Sequence, residues 1–509
     1  MATLASARNE TQHGWAAALG QPRVALAAMI ILAIATRAVS WVNPIPNIDE
    51  QFYLYVGERI WRGDWPYLDV WDRKPPGLFL FYALLARLGG GSMLAVNLVA
   101  TMFVISTAWV IRRIGLLAAT PASATMAAIT YIVIVDLMGG QNGQSPVFYN
   151  LFMAFAAEQG ARALIEGGDR RLMFGRAKSA MLWCGLALSF KPVAAAEGIY
   201  LGLSFLFCLR RANTGYSAMV GMALAMIGIA IIPTLLFAAP FLARGPEAYD
   251  ALYFATVLSV FHKNSWGLGS QLYGLVFLAM NCFVVIGYAG AGLAVPRESR
   301  AGRESRLYVV GWIFAALIGW LMVPNFYDHY ALPLLMPVSL ATAQFYERAS
   351  GPLFFSAFVA FSLIQRPTWT LADHLATRNQ FERLSAEVNQ ARHGGCVAVL
   401  GGPLRLYQTT IDCRLSRYVF SDHLTYFVEQ GAIGADNGVE LAKILARFPA
   451  VIVMQEDSDH RHKQTLRATR MIYDQLARHY RRAYVSGTGL QSVINTVVVY
   501  QRRDLASAG

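Results

Sequence analysis

Charge is scarce in this chain. Only 15% of its 509 residues are Asp, Glu, Lys or Arg, against roughly 25% in an ordinary soluble domain. The shortage argues against a water-soluble globular protein, since 56% of the residues are hydrophobic and the mean hydropathy is +0.40. No cleavable leader is evident either: the first 21 residues are polar, and the apolar run after them lacks a small-residue cleavage site, so that run is expected to remain as a membrane anchor. A nucleotide-binding fingerprint is missing too. The stretch GGP at 401–403 follows a strand-like run but lacks the required glycine spacing, and it reads as a turn. Cysteine is sparse. Cys184, Cys208 and Cys282 fall in apolar runs and read as packing residues. Cys396 and Cys413 lie outside those runs; an oxidising compartment permits a disulfide between them, but sequence separation alone does not fix its geometry.

What is abundant is long apolar sequence. Runs of roughly 17–25 residues, the length a bilayer demands, recur up to about residue 366. Spans are expected near 22–42, 92–112, 121–138, 146–166, 177–190, 193–209, 218–242, 271–295, 307–323, 328–347 and 352–365. Residues 77–90 are apolar but short, either a further span or a helix lying in the interface. The formal charge of +12 does not indicate nucleic acid, because much of the basic excess sits in short alternating loops. A cytoplasmic N-terminus puts Arg112 and Arg113, Arg170, Arg171, Arg176 and Lys178, Arg210 and Arg211, Arg297, Arg300, Arg303 and Arg306, and Arg348 inside. Loops 43–91, 139–145, the turn at 191, 243–270, 324–327 and the tail after 366 then lie outside.

The fold class expected is an α-helical polytopic membrane protein of about 11–13 spans with an extracytoplasmic α/β domain at its C-terminus. Three parts follow: a cytoplasmic tail (1–21), a transmembrane domain (22–365) with the large first outer loop 43–91, and a periplasmic domain (366–509). In that last part helices are expected near 371–392, 438–447 and 464–482, and strands at 396–400, 450–454 and 492–500.

The first outer loop holds the densest charge. Residues 47–77, NIDEQFYLYVGERIWRGDWPYLDVWDRKPPG, carry six carboxylates and four basic side chains among aromatics. Other outer ends are decorated as well: Arg37, Asp136, Gln141, Asn142 and Gln144, Lys191, His262 and Lys263, and Asp328, His329 and Tyr330. Ionisable groups at such depth are costly and mark function by default. Each also has a plainer reading. Asp49 can cap the helix through EQFYLYVGERIW, Arg37 and Lys191 can snorkel to headgroups, His329 can be a hydrogen-bonded interfacial histidine, Asp136 can be a polar helix end, and Glu58 and Arg59 suit a solvated face. The clustering on one side favours a shared cavity, and a sugar carried on a lipid phosphate suits its chemistry. Lys74, Lys191 or Arg37 would meet the phosphate and stabilise its developing charge. Asp49 would accept the proton of an acceptor hydroxyl, and positioning would supply much of the rate. One direct displacement inverts the anomeric centre. A transporter or lipid flippase is the alternative, but midplane charge and two corresponding halves are not visible.

The motifs DE (49–50), GDWPYLD (63–69), DRKPPG (72–77), SFKP (189–192) and DHYALPLLMP (328–337) resemble the polyprenyl-phosphate-sugar glycosyltransferases of the GT-C fold. The likeness is to the bacterial branch of the protein O-mannosyltransferase superfamily, which includes aminoarabinose transferases and rhizobial lipopolysaccharide galacturonosyltransferases. It covers roughly residues 22–365. The resemblance implies that Asp49, with Glu50 beside it, is the catalytic base or its organiser, and that Lys74 contacts the donor phosphate. The same donor site is expected to draw on Arg37, Asp69, Asp72, Arg73, Gln144, Lys191, His262, Lys263, Asp328, His329 and Tyr330. Two positions depart from the family pattern: Arg73 and Gln144 stand where relatives carry acids. Both changes remove hard oxygen ligands, so no metal or other cofactor is expected, although Asp49, Glu50 and Asp136 could hold a divalent ion. The partners implied are a polyprenyl-phosphate-linked sugar, membrane lipid and a glycolipid, glycan or protein acceptor, met at the outer face of a bacterial inner membrane.

Overall fold

The computed structural model describes residues 14–323, 326–365, 370–410, 413–456, 458–487 and 496–507. Most of the polar N-terminal tail, two residues of the turn at 324–327, the junction at 366 and the start of the last expected strand lie outside them. The chain divides into two compact units.

The first unit is Met1–Ala38, Leu98–Phe237 and Gly267–Pro367. Each of the eleven expected spans meets a helix: Pro22–Arg37, Met93–Gly115, Pro121–Leu137, Ser145–Ile165, Arg170–Leu188, Ala195–Arg211, Tyr216–Arg244, Leu268–Leu293, Arg300–Leu321, Leu332–Ala341 and Gly351–Gln365. Proline at the first or second position starts several of them, where its missing N–H costs nothing. Asp169 and Ser299 cap others by accepting from Leu172 N (2.7 Å) and Gly302 N (3.0 Å). Among the described residues, six helices are long and apolar enough to cross a membrane. Three of the remainder are shorter or more polar for a packing reason. Pro121–Leu137 and Leu332–Ala341 are buried along nearly their whole length, so neighbouring helices surround them. Ser145–Ile165 carries Glu158 inside, bonded to Arg162 and Arg113 at 2.9 Å each. By contrast, Tyr216–Arg244 and Leu268–Leu293 leave Leu224, Leu236, Met280 and Phe283 uncovered, as lipid-facing helices do. The chain is a multi-pass membrane protein.

The second unit is Val39–Asn97, Ala238–Trp266 and Thr368–Gly509. The first outer loop therefore folds with the tail. It forms helix Ile48–Trp61, a turn through 63–69, and helix Pro76–Gly89. The last of these, left open above between span and interfacial helix, has 14 residues and packs on Ile48–Trp61. Gly57 makes that approach possible: a Cβ there would stand 2.7 Å from the backbone carbon and oxygen of Tyr82. The tail adds a four-stranded sheet of β1 (Val397–Val399), β2 (Val451–Gln455), β3 (Tyr480–Ser486) and β4 (Val497–Arg502), in the order β1-β2-β4-β3. β1 and β2 are parallel and the other pairs antiparallel, with Val453 facing Val399 on one side and Val499 on the other. The expected helices at 371–392 and 438–447 are Leu371–Ala391, opened by a Thr370–Asp373 capping box, and Asn437–Ala446. The expected helix 464–482 is corrected. It spans Leu466–His479, and YRRAYVS then forms β3, its aromatic and β-branched residues pairing with β4 across a register shift between Arg482 and Tyr484. Gly401–Pro403 is a turn, with Gly402 at φ +112°, and Cys396 and Cys413 form a disulfide with Cα atoms 5.4 Å apart.

Gly57→Ala should destabilise the Ile48–Trp61/Pro76–Gly89 pair by about 1–3 kcal/mol, despite alanine's better helix propensity. The expected result is faster hydrogen exchange in both helices; unchanged exchange would show that the backbones can part without cost.

Candidate active site

The sequence-selected residues of the first unit gather at one end of its helices. Arg37 closes Pro22–Arg37 and is fully buried. Its guanidinium reaches Asp136 Oδ1 at 2.5 Å, Thr101 Oγ1 at 3.1 Å and the carbonyls of Gly140 (2.7 Å) and Asn142 (3.5 Å). Snorkelling is therefore corrected for Arg37: a buried cation needs a paired anion and acceptors, and Asp136 supplies the anion while the turn at 139–144 supplies two carbonyls. Asp136 is the other half of that pair, not a bare helix end. Gln144 immediately precedes helix Ser145–Ile165 and is buried, and its amide nitrogen finds no partner among the described residues. Lys191, in the tight turn between helices, is also buried and sets its ammonium 3.6 Å from the centre of the Tyr330 ring. Asp328 accepts from His329 through its backbone N (2.7 Å) and Nδ1 (3.2 Å). Gly139, at φ +74°, leaves room for that carboxylate; a Cβ would stand 2.9 Å from Asp328 Oδ2. His329 stacks on Tyr327 and meets Tyr330 edge-on, and its buried Nε2 has no partner among the described residues.

The second unit gathers the others. Asn47, not Asp49, caps helix Ile48–Trp61, accepting from Asp49 N at 3.0 Å. That corrects the capping reading and leaves the Asp49 carboxylate half-exposed in the first turn, where the helix dipole suits an anion. Glu50, one position on and so about 100° around the helix, is 1% exposed. Of the two acids expected to act together, only Asp49 faces outward. The turn GDWPYLD is self-locked: Trp65 N donates to Asp69 at 2.8 Å, and Asp69 also pairs with Arg414 at 3.2 Å. Asp69 thus holds the turn and the tail together. Tyr67, at φ 72°, donates its hydroxyl to the carbonyl of Lys74 at 2.7 Å and fixes the next loop. Lys74 stands 3.9 Å from Asp72 and 5.6 Å over the Tyr53 ring. Burial opposes ionisation of Asp72, but Lys74, His423 and Arg73 outweigh it and hold the carboxyl below its ordinary range.

Sequence reasoning missed the residue that ties this group together. Glu429, from the tail, takes both terminal nitrogens of Arg73, Lys263 Nζ at 2.8 Å and His423 Nδ1 at 3.3 Å. Burial disfavours its charge, yet Arg73, the bond from His423 and Lys263 hold it well below the usual carboxylate range. Burial in turn pulls the Lys263 ammonium down. Arg73 and Lys263, both expected to meet donor phosphate, are therefore counter-charged by protein. His262 is exposed, bonds Leu258 O at 3.0 Å and lies against the Phe254 ring. Beside Glu429, Asp422 is pushed up to about 7 by burial and by the carboxylates of Glu429 and Asp49. The run DHLTYFVEQ at 422–430 carries these groups, but nothing in its spacing distinguishes it from an amphipathic loop. No group of three His, Cys, Asp or Glu side chains among the described residues is arranged to hold a metal ion.

No family model matches the chain, and no curated protein matches it in sequence. Solved structures match it in shape. ArnT from Cupriavidus metallidurans bound to undecaprenyl phosphate superposes with a TM-score of 0.64 at 11% identity, covering 96% of this chain and 98% of that one. The chain has the GT-C fold. The apo structure of the same protein gives 0.61, also at 11% identity, with coverage of 95% and 98%. The Archaeoglobus fulgidus oligosaccharyltransferase tethered to an acceptor peptide overlaps at 0.49 and 10% identity, over 95% of this chain and 74% of that one. Within this GT-C chain, the first outer loop and the tail jointly build the Asp49–Lys74–Glu429 region.

Two substitutions test its electrostatics. Glu429 is depressed, so its stabilisation is complete above the unfolded carboxylate value, about 4.3, and fades as pH falls through its lower folded value. Glu429→Gln should cost roughly 3–5 kcal/mol near pH 7, read as faster hydrogen exchange at 70–74 and 422–430, with a gap from the parent that closes in strong acid. Asp422 is raised, so its ionisation penalises the fold as pH rises towards about 7. Asp422→Asn should stabilise above that pH and be neutral in acid; the opposite trend in either variant refutes this assignment.

Proposed function

We propose that the chain is a glycosyltransferase of the bacterial inner membrane that moves a sugar from a polyprenyl-phosphate donor to an acceptor outside the cytoplasm. The observation that carries the reading is the contrast between engaged and available charge. Arg73 and Lys263 are neutralised by Glu429, whereas Lys74 has its carboxylate only at 3.9 Å and the Asp49 carboxylate is half-exposed. A GT-C neighbour bound to undecaprenyl phosphate supports the choice of donor class.

In the proposed mechanism the Asp49 carboxylate takes the proton of an acceptor hydroxyl as that oxygen attacks the anomeric carbon. The bond from that carbon to the phosphate oxygen breaks, and the phosphate leaves with the electron pair on the carrier lipid. Lys74 stabilises the charge that grows on the leaving oxygen. Inversion follows from the single displacement. Within the first unit, Lys191, His329 and Tyr330 are proposed as ligand-binding groups, because Lys191 is held against the Tyr330 ring and the buried His329 Nε2 has no partner among the described residues. No resident metal takes part in the mechanism. The proposed orientation places the N-terminus in the cytoplasm and the tail in the periplasm.

Purified protein incubated with a panel of polyprenyl-phosphate sugars should release polyprenyl phosphate. Asp49→Asn should lower turnover by about 10²–10⁴-fold with unchanged melting behaviour, and Lys74→Met should raise the donor KM by roughly 10–100-fold. A wild-type rate in Asp49→Asn removes that residue from the chemistry.

A further inference from the structure

A concavity of about 360 Å³ lies on the tail domain, lined by Phe448, Arg478, His479, Arg502, Arg503 and Asp504. None of these residues belongs to the Asp49–Glu429 region. Three guanidinium groups line it with one carboxylate: Arg502 is paired with that carboxylate and one backbone oxygen, and Arg503 is fixed by backbone oxygens alone. Arg502 donates to Phe448 O at 2.6 Å and to Asp504 Oδ1 at 2.7 Å. Arg503 donates to Tyr480 O and Ala477 O at 3.0 Å each. Carbonyls orient a guanidinium without cancelling its charge, so the site is preorganised and keeps an excess of positive charge. Arg478 is exposed and has no hydrogen bond or ion pair among the described residues.

Phe448 is the second unusual feature. Helix Asn437–Ala446 ends at Arg447, and Phe448 occupies the following position at φ +44°. That left-handed position ordinarily takes Gly or Asn. Here it carries a phenyl ring that is 41% exposed and meets His479 edge-on, with centroids 5.1 Å apart. The ring is only partly covered by His479, so part of its face is left open at the concavity. A flat apolar face beside oriented guanidinium groups matches a pyranose ring with an acidic substituent: the ring covers the phenyl, and the carboxylate or phosphate takes the paired N–H donors. The volume suits one or two sugar units.

We infer that this concavity binds an acidic sugar, the anionic part of the acceptor glycan. Calling that ligand the acceptor rests on the transferase reading; the binding itself does not.

The test uses full-length protein in detergent and equilibrium titration with digalacturonate, glucose 6-phosphate, a neutral digalactoside and inorganic phosphate. At least one acidic sugar should bind saturably, the neutral sugar should not, and inorganic phosphate should bind more weakly than that acidic sugar. Phe448→Gly removes the ring and relieves the backbone, so the fold should keep its melting temperature while the affinity falls about tenfold or more. Arg478→Gln should weaken binding by roughly 10–100-fold. The inference is overturned if neither acidic sugar binds, if both variants bind like the parent, or if inorganic phosphate binds as tightly and Phe448→Gly has no effect. Asp49→Asn should bind the sugar normally. Turnover without sugar binding overturns this site alone, and binding without turnover overturns the catalytic reading alone.

Discussion

The second unit is organised around one buried carboxylate. Glu429 gathers Arg73 from the first outer loop, Lys263 from the loop after Tyr216–Arg244, and His423 from its own segment. Three stretches far apart in sequence are thereby fixed at one point, and His423 in turn packs edge-on against Trp71, 4.8 Å away. Without that anion, two cations with little access to water would face each other. A charge buried without a partner costs several kcal/mol, so the arrangement holds as a set. The same arithmetic explains why Lys74 differs from its neighbour. Glu429 spends its capacity on Arg73 and Lys263, and among the described residues Lys74 keeps an aromatic face and a carboxylate at 3.9 Å.

The membrane unit solves a like problem separately. Arg37 would be prohibitively expensive in apolar surroundings, and Asp136, Thr101 and two carbonyls of the 139–144 turn satisfy it. Lys191 is handled differently, by the face of Tyr330. An ammonium against a ring can still donate hydrogen bonds elsewhere, whereas a guanidinium locked to a carboxylate and carbonyls serves structure.

Much of this was legible in the chain itself. Apolar run length located all eleven helices of the spans, and short β-branched runs located three of the four strands. β3 was missed because the amphipathic period of LRATRMIYDQLARH runs on into YRRAYVS without a Gly or Pro between them. The site was half legible. Asp49, Lys74, Lys191 and His329 stood out as charge where charge is costly. Glu429 and Asp422 did not, because a carboxylate in a mixed polar loop becomes unusual only when distant segments bury it. Pairing was the other blind spot. Sequence gave Arg37, Arg73 and Lys263 as phosphate ligands, and only coordinates reveal that protein carboxylates already hold them.

The central claim is a direct displacement at the anomeric carbon, started by Asp49 and ended by departure of the carrier phosphate. The stereochemistry of the product tests it most directly. Transfer from a donor of defined anomeric configuration, with the new glycosidic bond assigned by NMR, should give the inverted anomer. A product that retains the donor configuration would require two displacements and an enzyme-bound intermediate, and would contradict the account.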